Sequence, residues 1–304
     1  MLFNKPQFHI NRRDSLKLLS LGASALVLPH LLRAKGGLKS NGLKLAVQQY
    51  SFNRQLRDGS LEILDYPKIV VEGTGIKALE YFNGHIEDKA GDTSFFRELK
   101  QRCNDLGVTN TMMLCRSSIP LDSPDAKKRA QSVDEMKVWL EATKTLGGTT
   151  IRVDCKSPGK YDEKKQHAAD GLNALCDVAE SMKMDIVVEN HGGHSSNGKW
   201  LAELMQIVNR PNCGSLPDFQ NFKDYDPYQG VEDLMPSAKI VCAKSKHFDY
   251  KGNETNVDYE RMMKIVLDAG FKGYIGIEFE GHDMDPIAGI LATKKLIERI
   301  VRKA

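Results

Sequence analysis

Eight short apolar runs, each followed by a longer segment of helical periodicity, constrain this chain more than any other feature. The runs are 43–52, 76–82, 108–115, 149–153, 184–189, 214–219, 239–243 and 273–279. Their lengths suit strands, and the segments between them repeat apolar residues at helical spacing, as in Phe95-Phe96-Leu99-Cys103-Leu106 and Met136-Trp139-Leu140-Thr143-Leu146. Several helical segments stop at a glycine, namely Gly107, Gly147 and Gly270. Strands that alternate with helices pair in parallel, because a parallel connection needs a crossover long enough to hold a helix. Eight such units within 304 residues predict an α/β protein with a single (β/α)8 barrel. The competing doubly wound open sheet would carry a glycine-rich phosphate loop after its first strand. Gln48-Gln49-Tyr50-Ser51-Phe52 stands there instead.

The first 34 residues read as a separate signal. Asn11-Arg12-Arg13-Asp14-Ser15-Leu16-Lys17 precedes an apolar run, 18–28, that is too short to span a membrane, and Leu31-Leu32-Arg33-Ala34 follows. Paired arginines before such a run resemble a twin-arginine export signal, which implies a periplasmic barrel over residues 35–304 and no stable membrane insertion after the signal is removed. The segment also explains the charge. Of 43 Lys and Arg and 40 Asp and Glu, five basic residues and one acidic residue fall in positions 1–34, so the remainder carries 38 and 39. The formal net charge of +3 is thus no nucleic-acid footprint. Six scattered cysteines, without any C-x-x-C pair, give no disulfide pairing.

Three of the apolar runs end in carboxylates: Val187-Val188-Glu189-Asn190-His191, Leu216-Pro217-Asp218-Phe219-Gln220-Asn221 and Ile275-Gly276-Ile277-Glu278. In a barrel all strand C-termini face one mouth, where the chemistry of such folds is built. Carboxylates gathered there would repel, and one would hold a proton unless a cation joined them. An oxygen-rich set favours Mn²⁺, Mg²⁺ or Co²⁺ over a thiolate zinc site. Glu80 and Arg152 also end strands, and His191 shares a side with Glu189 for as long as the strand continues.

These stretches, together with Ala243-Lys244-Ser245 and Phe248-Asp249, resemble the sugar phosphate isomerase/epimerase group of xylose isomerase-like TIM barrels, a family that includes D-tagatose 3-epimerase. The likeness covers about residues 43–303. It implies one divalent metal, Mn²⁺ foremost with Mg²⁺, Co²⁺ or Zn²⁺ as alternatives, held by Glu189, Asp218, Glu278 and a histidine after strand seven. This chain departs at the histidine. Lys244 falls at the expected position and His247 follows three residues later, so the fourth ligand is His247, His191 or water.

The chemistry implied is removal of a proton next to a ketosugar carbonyl by Glu189 or Glu278, with Lys244 steadying the enediolate. Glu80, His191, Arg152 and Asn221 are candidate substrate contacts. Export and the lack of a phosphate cradle favour a non-phosphorylated sugar. The same intermediate on a 3-keto-glycoside would expel the aglycone, making a lyase. A non-catalytic carbohydrate-binding barrel and a metallo-phosphodiesterase are further alternatives, the latter opposed by only eight histidines and a near-neutral barrel. A homo-oligomer is compatible with the sequence.

Overall fold

The computed structural model describes residues 42–303; the expected export segment lies outside them. From β1 (Lys44–Gln48) the chain passes through α1 (Asn53–Asp58) and α2 (Tyr66–Thr74) to β2 (Ala78–Phe82), then through α3 (Thr93–Asp105) to β3 (Thr109–Leu114). The next units are α4 (Ala126–Leu146) with β4 (Thr150–Val153), α5 (Tyr161–Ser181) with β5 (Asp185–Glu189), and α6 (Gly198–Val208) with β6 (Cys213–Leu216). They are followed by α7 (Pro227–Leu234), β7 (Val241–Ser245), α8 (Tyr259–Asp268), β8 (Tyr274–Phe279) and α9 (Pro286–Val301). The strands are parallel, in the order β6-β5-β4-β3-β2-β1-β8-β7, and the seam between β6 and β7 is joined by single bridges, Ser215 to Ala238 and Asp218 to Cys242. This is the expected eight-stranded barrel, nearly closed.

Alternation along each strand sends neighbouring side chains to opposite faces. Phe82, Met112, Leu114, Val187, Leu216, Ile240 and Cys242 form the small apolar core inside the barrel. Leu79, Met113, Ile151, Val188, Val241 and Ile277 belong to the larger layer between sheet and helices. Both faces are buried, which is why the strands read as continuous apolar runs. Gly107, Gly147 and Gly270 all take the left-handed conformation after their helices, as expected. Trp200 is fully buried, its indole N–H donating to the carbonyl of Tyr161 at 2.9 Å.

Three strands end two or more residues from where the sequence ends their apolar runs, each for a local reason. The first strand stops at Gln48, and Gln49–Phe52 forms a 3₁₀ turn in which the Gln49 side-chain oxygen accepts the Phe82 N–H at 3.0 Å. β6 stops before Pro217, which has no N–H to give the ladder. β7 runs two residues beyond Ala243, because its partner β8 continues and pairs Lys244 with Glu278 and Ser245 with Phe279. Apolarity ended the strand too early on paper; backbone pairing carries it on.

Candidate active site at the barrel mouth

Five strand ends meet at this mouth. Arg152 on β4 donates from Nε to Glu189 Oε2 at 2.6 Å, and its Nη2 touches the same oxygen. Its Nη1 lies 3.0 Å from Asp154 Oδ1. The other Glu189 oxygen accepts from Asn221 Nδ2 at 2.8 Å, and Asn221 Oδ1 in turn accepts from Lys244 Nζ at 3.1 Å. The Lys244 ammonium reaches Glu278 Oε2 at 3.1 Å, Glu280 Oε1 at 3.2 Å and Asp218 Oδ2 at 3.4 Å. Asp218 is held by an amide clamp. Asn190 donates to its carbonyl at 3.0 Å and accepts its N–H at 2.7 Å, replacing the ladder that Pro217 interrupts. One continuous polar network therefore links β4, β5, β7, β8 and the turn after β6.

Burial and charge act against each other throughout this network. Burial pushes the Glu189 carboxyl up, but Arg152, His191 and Lys244 together pull it below its ordinary value. Burial raises Asp218 to about 6 and Glu278 to about 7, with Lys244 opposing the rise in both. For Lys244, burial disfavours the charge, yet Asp218, Glu278 and Glu280 hold its pKa well above the usual lysine range. Arg152 behaves in the same way: burial opposes its charge, while Asp154 and Glu189 raise its pKa. The site thus contains a carboxylate kept ionised beside a carboxyl that titrates near neutrality. It also contains two buried cations.

Asp218, Cys242 and Glu278 offer ligand atoms within 4.8 Å of one another, and among the described residues they are the group that could hold a metal ion. The donor set as arranged does not suit a divalent ion well. Lys244 lies on the Asp218 and Glu278 oxygens that would bind the metal, and both oxygens of Glu189 are already used by Arg152 and Asn221. Cys242 stands on β7, with its thiol donating to Glu278 Oε2 at 3.4 Å. No imidazole supplies a fourth ligand to the cluster, because His247 lies beyond the end of β7, half-exposed, and pairs with Asp283 at 2.9 Å. His191 lines the mouth and meets Asp154 Oδ1 through Nδ1 at 3.1 Å.

Glu80 lies deeper and does not line the mouth cavity. It is fully buried between β1 and β3, with Thr111 donating to it at 3.5 Å, and burial raises its pKa to about 8. A bulge in β3 beside it and Gly276 on β8 give it room, since a Cβ at Gly276 would stand 2.4 Å from Glu80 Oε2. The sequence reading did not single out Cys242, Glu280 or Asn190. The first two were within reach: Cys242 precedes Lys244 by two residues on β7, hence on the same side of that strand, and Glu280 follows Glu278 just past the end of β8. Asn190 matters only because Pro217 breaks the neighbouring ladder, a tertiary circumstance.

The mouth cavity measures about 70 Å³, with Tyr50, Phe82, Leu114, Arg116 and His191 among its walls around Arg152, Glu189, Lys244 and Glu278. A second hollow of about 550 Å³ shares Arg116 with it and is lined by Ser117, Ser118, Glu135, Trp139, Asp154 and Lys156.

The chain is 32% identical over 78 residues to the C-glycoside deglycosidase alpha subunit of Arthrobacter globiformis, 24% of this chain and 22% of that one. It is 21% identical over 172 residues to fructoselysine 3-epimerase of Escherichia coli O157:H7, 51% of this chain and 61% of that one. Both matches span less than two thirds of the relative's length. The crystal structure of the IolI protein with a bound zinc atom superposes with a TM-score of 0.69 at 17% identity, over 86% of this chain and 98% of that one. Residues 70–300 match the family model described as xylose isomerase-like TIM barrel, so the chain belongs to the xylose isomerase-like TIM barrel family.

Proposed function

We propose that the barrel is an enzyme that moves a proton on the carbon next to the carbonyl of a non-phosphorylated ketosugar, as an epimerase or isomerase. The observation that carries this reading is the pair Glu189 and Glu278. Their environments push their pKa values apart, Glu189 below its ordinary value and Glu278 up to about 7. Carboxyls separated in this way divide into a base and an acid. Glu189, ionised, takes the α-proton, and the electron pair left on carbon moves into the carbonyl, giving an enediolate oxygen. Lys244 and Arg152 stabilise the negative charge by donating to it in a site sheltered from water. Glu278, protonated, returns a proton to the opposite face for epimerisation, or to the adjacent carbon for isomerisation. His191, Asn221 and Arg116 are placed to bind hydroxyls. The deglycosidase and 3-epimerase likenesses support sugar chemistry of this kind.

The divalent ion that the family resemblance implies at Glu189, Asp218, Glu278 and His247 does not fit these residues as they stand, because Lys244 occupies the Asp218 and Glu278 oxygens and His247 lies outside the cluster. The paired arginines and apolar run of residues 1–34 support export to the periplasm, where free sugars and glycosides are the accessible substrates. A second reading, elimination from a 3-keto-glycoside, is favoured by the 550 Å³ hollow beside the mouth, which has room for an aglycone. There the electrons of the same enediolate would expel the β-substituent, and Glu278 would protonate the departing atom.

The test is solvent deuterium exchange at the substrate α-carbon, measured by NMR on a panel of ketosugars and 3-keto-glycosides. Glu189→Gln is expected to lose about 10²–10⁴ of the exchange rate, the usual contribution of a positioned base. Exchange that survives this substitution unchanged would remove Glu189 from the role.

A further inference from the structure

We infer that Lys244 is the resident cation of this barrel, filling with its ammonium the place of a divalent metal, so that the site works without one. The inference rests on the proton-transfer reading above for its chemistry, but its evidence is the arrangement of charge.

In a metal site the carboxylates turn toward one empty point and leave their inner oxygens free. Here side chains face those oxygens: Glu189 and Glu278 are contacted directly, and Asp218 Oδ2, which accepts no hydrogen bond, faces the Lys244 ammonium as an ion pair. Lys244 Nζ sits 3.1 Å from Glu278, 3.2 Å from Glu280, 3.4 Å from Asp218 and 3.1 Å from Asn221, with its side chain only 4% exposed. Glu189, from the opposite side of the mouth, has both oxygens occupied by Arg152 and Asn221. A buried ammonium with this many acidic partners is costly to hold unless the partners are matched to it, as they are here. A divalent ion bound to the same Asp218 and Glu278 oxygens would lie within a few ångströms of the ammonium, and the two cations would repel strongly where little water screens them. The backbone register supports this assignment. Lys244 pairs directly with Glu278 across β7 and β8, so the ammonium reaches its carboxylates from an adjacent strand rather than from a loop. The only side chain of β7 nearer the barrel interior that could bind a metal is the thiol of Cys242, which is already hydrogen-bonded to Glu278.

An ammonium in this position does part of what a metal does. It donates hydrogen bonds to a developing oxyanion and lowers the energy of the enediolate. Unlike a metal it cannot chelate two oxygens in fixed geometry. The barrel therefore depends on Arg152 and Asn221 for orientation.

The experiment uses the full chain, purified without added metal and dialysed against EDTA. Metal content is read by plasma mass spectrometry, and Mn²⁺ and Zn²⁺ binding by calorimetry and by the shift in Tm. The parent is expected to carry far less than one equivalent of any divalent metal, to show no Tm shift with either ion, and to keep its exchange activity in chelator. Lys244→Met is expected to bind Mn²⁺ or Zn²⁺ at least about tenfold more tightly than the parent, because a positive charge has left the carboxylates. Lys244→Met combined with Cys242→His is expected to bind more tightly still. A parent holding a stoichiometric metal whose removal lowers Tm would overturn the inference. So would a folded Lys244→Met chain that binds neither ion better than the parent does. If that variant does not fold, the parent's metal content and titration decide alone. Solvent exchange separates this inference from the reading beneath it. A metal-bearing parent that exchanges the α-proton sinks the inference alone, whereas a metal-free parent inert on every ketosugar sinks the proton-transfer reading.

Discussion

Glu80 and Glu278 are both buried carboxyls raised by desolvation, yet their surroundings differ. Glu278 has Lys244 beside it to oppose the rise, whereas Glu80 has only neutral polar neighbours, Gln48 and Thr111, working against burial. In the fold Glu80 holds its proton up to about pH 8, while a free glutamate loses it near pH 4.5. The stability it contributes is therefore full below about pH 4.5 and is lost as pH rises through about 8. Glu278 follows the same sign, its contribution being full below about pH 4.5 and lost as pH rises through about 7. Glu80→Gln keeps the shape and removes the titration. Thermal unfolding followed at pH 5 and pH 9 is expected to show the parent losing more stability than the variant over that range. The difference should be on the order of a few kcal/mol, the scale of a fully buried carboxyl. Equal losses would mean that Glu80 is ionised in the fold at both pH values.

Two features of the strands place the site more than their apolar content does. Pro217 stops β6 one residue before Asp218, and the Asn190 amide then fixes Asp218 from the end of β5. On β8, Gly276 faces into the barrel and leaves the space that Glu80 and Gln48 fill. Gly276→Ala would put a Cβ 2.4 Å from Glu80 Oε2 and 3.0 Å from Gln48 Nε2 in a closed interior. The expected cost is about 1–3 kcal/mol, as for other overpacked cores, read as a lower denaturant midpoint with an unchanged m-value. Because Glu278 follows on the same strand two residues later, exchange activity should fall as well. A variant as stable as the parent would show that Glu80 has room to turn away.

At the scale of the whole chain, the export proposal predicts that a bacterial twin-arginine host delivers the barrel to its periplasm in a form shortened near residue 34, seen by fractionation and intact mass. Arg12→Lys with Arg13→Lys should hold the full-length chain back in the cytoplasm; delivery unaffected by the pair would defeat the proposal. The (β/α)8 architecture was legible without a structure because it follows from periodicity: apolar runs too short for helices, helical spacing between them, and glycines where helices end. The acids were legible for the same reason. Glu189 and Glu278 lie at the C-terminal ends of apolar strands and Asp218 just past one, and the barrel topology sends all such ends to one mouth. His247 was not placed correctly by spacing alone, since a residue beyond the strand end can turn outward, and it pairs with Asp283 instead. Lys244 was read as a substitute for a ligand, but sequence could not say where a flexible four-carbon side chain puts its charge. Local periodicity determined the fold and the ring of acids. Only the tertiary structure decided that Asp218, Glu278 and Glu280 gather around an ammonium, because that outcome depends on which oxygens the ends of β6 and β8 bring within reach of one nitrogen on β7.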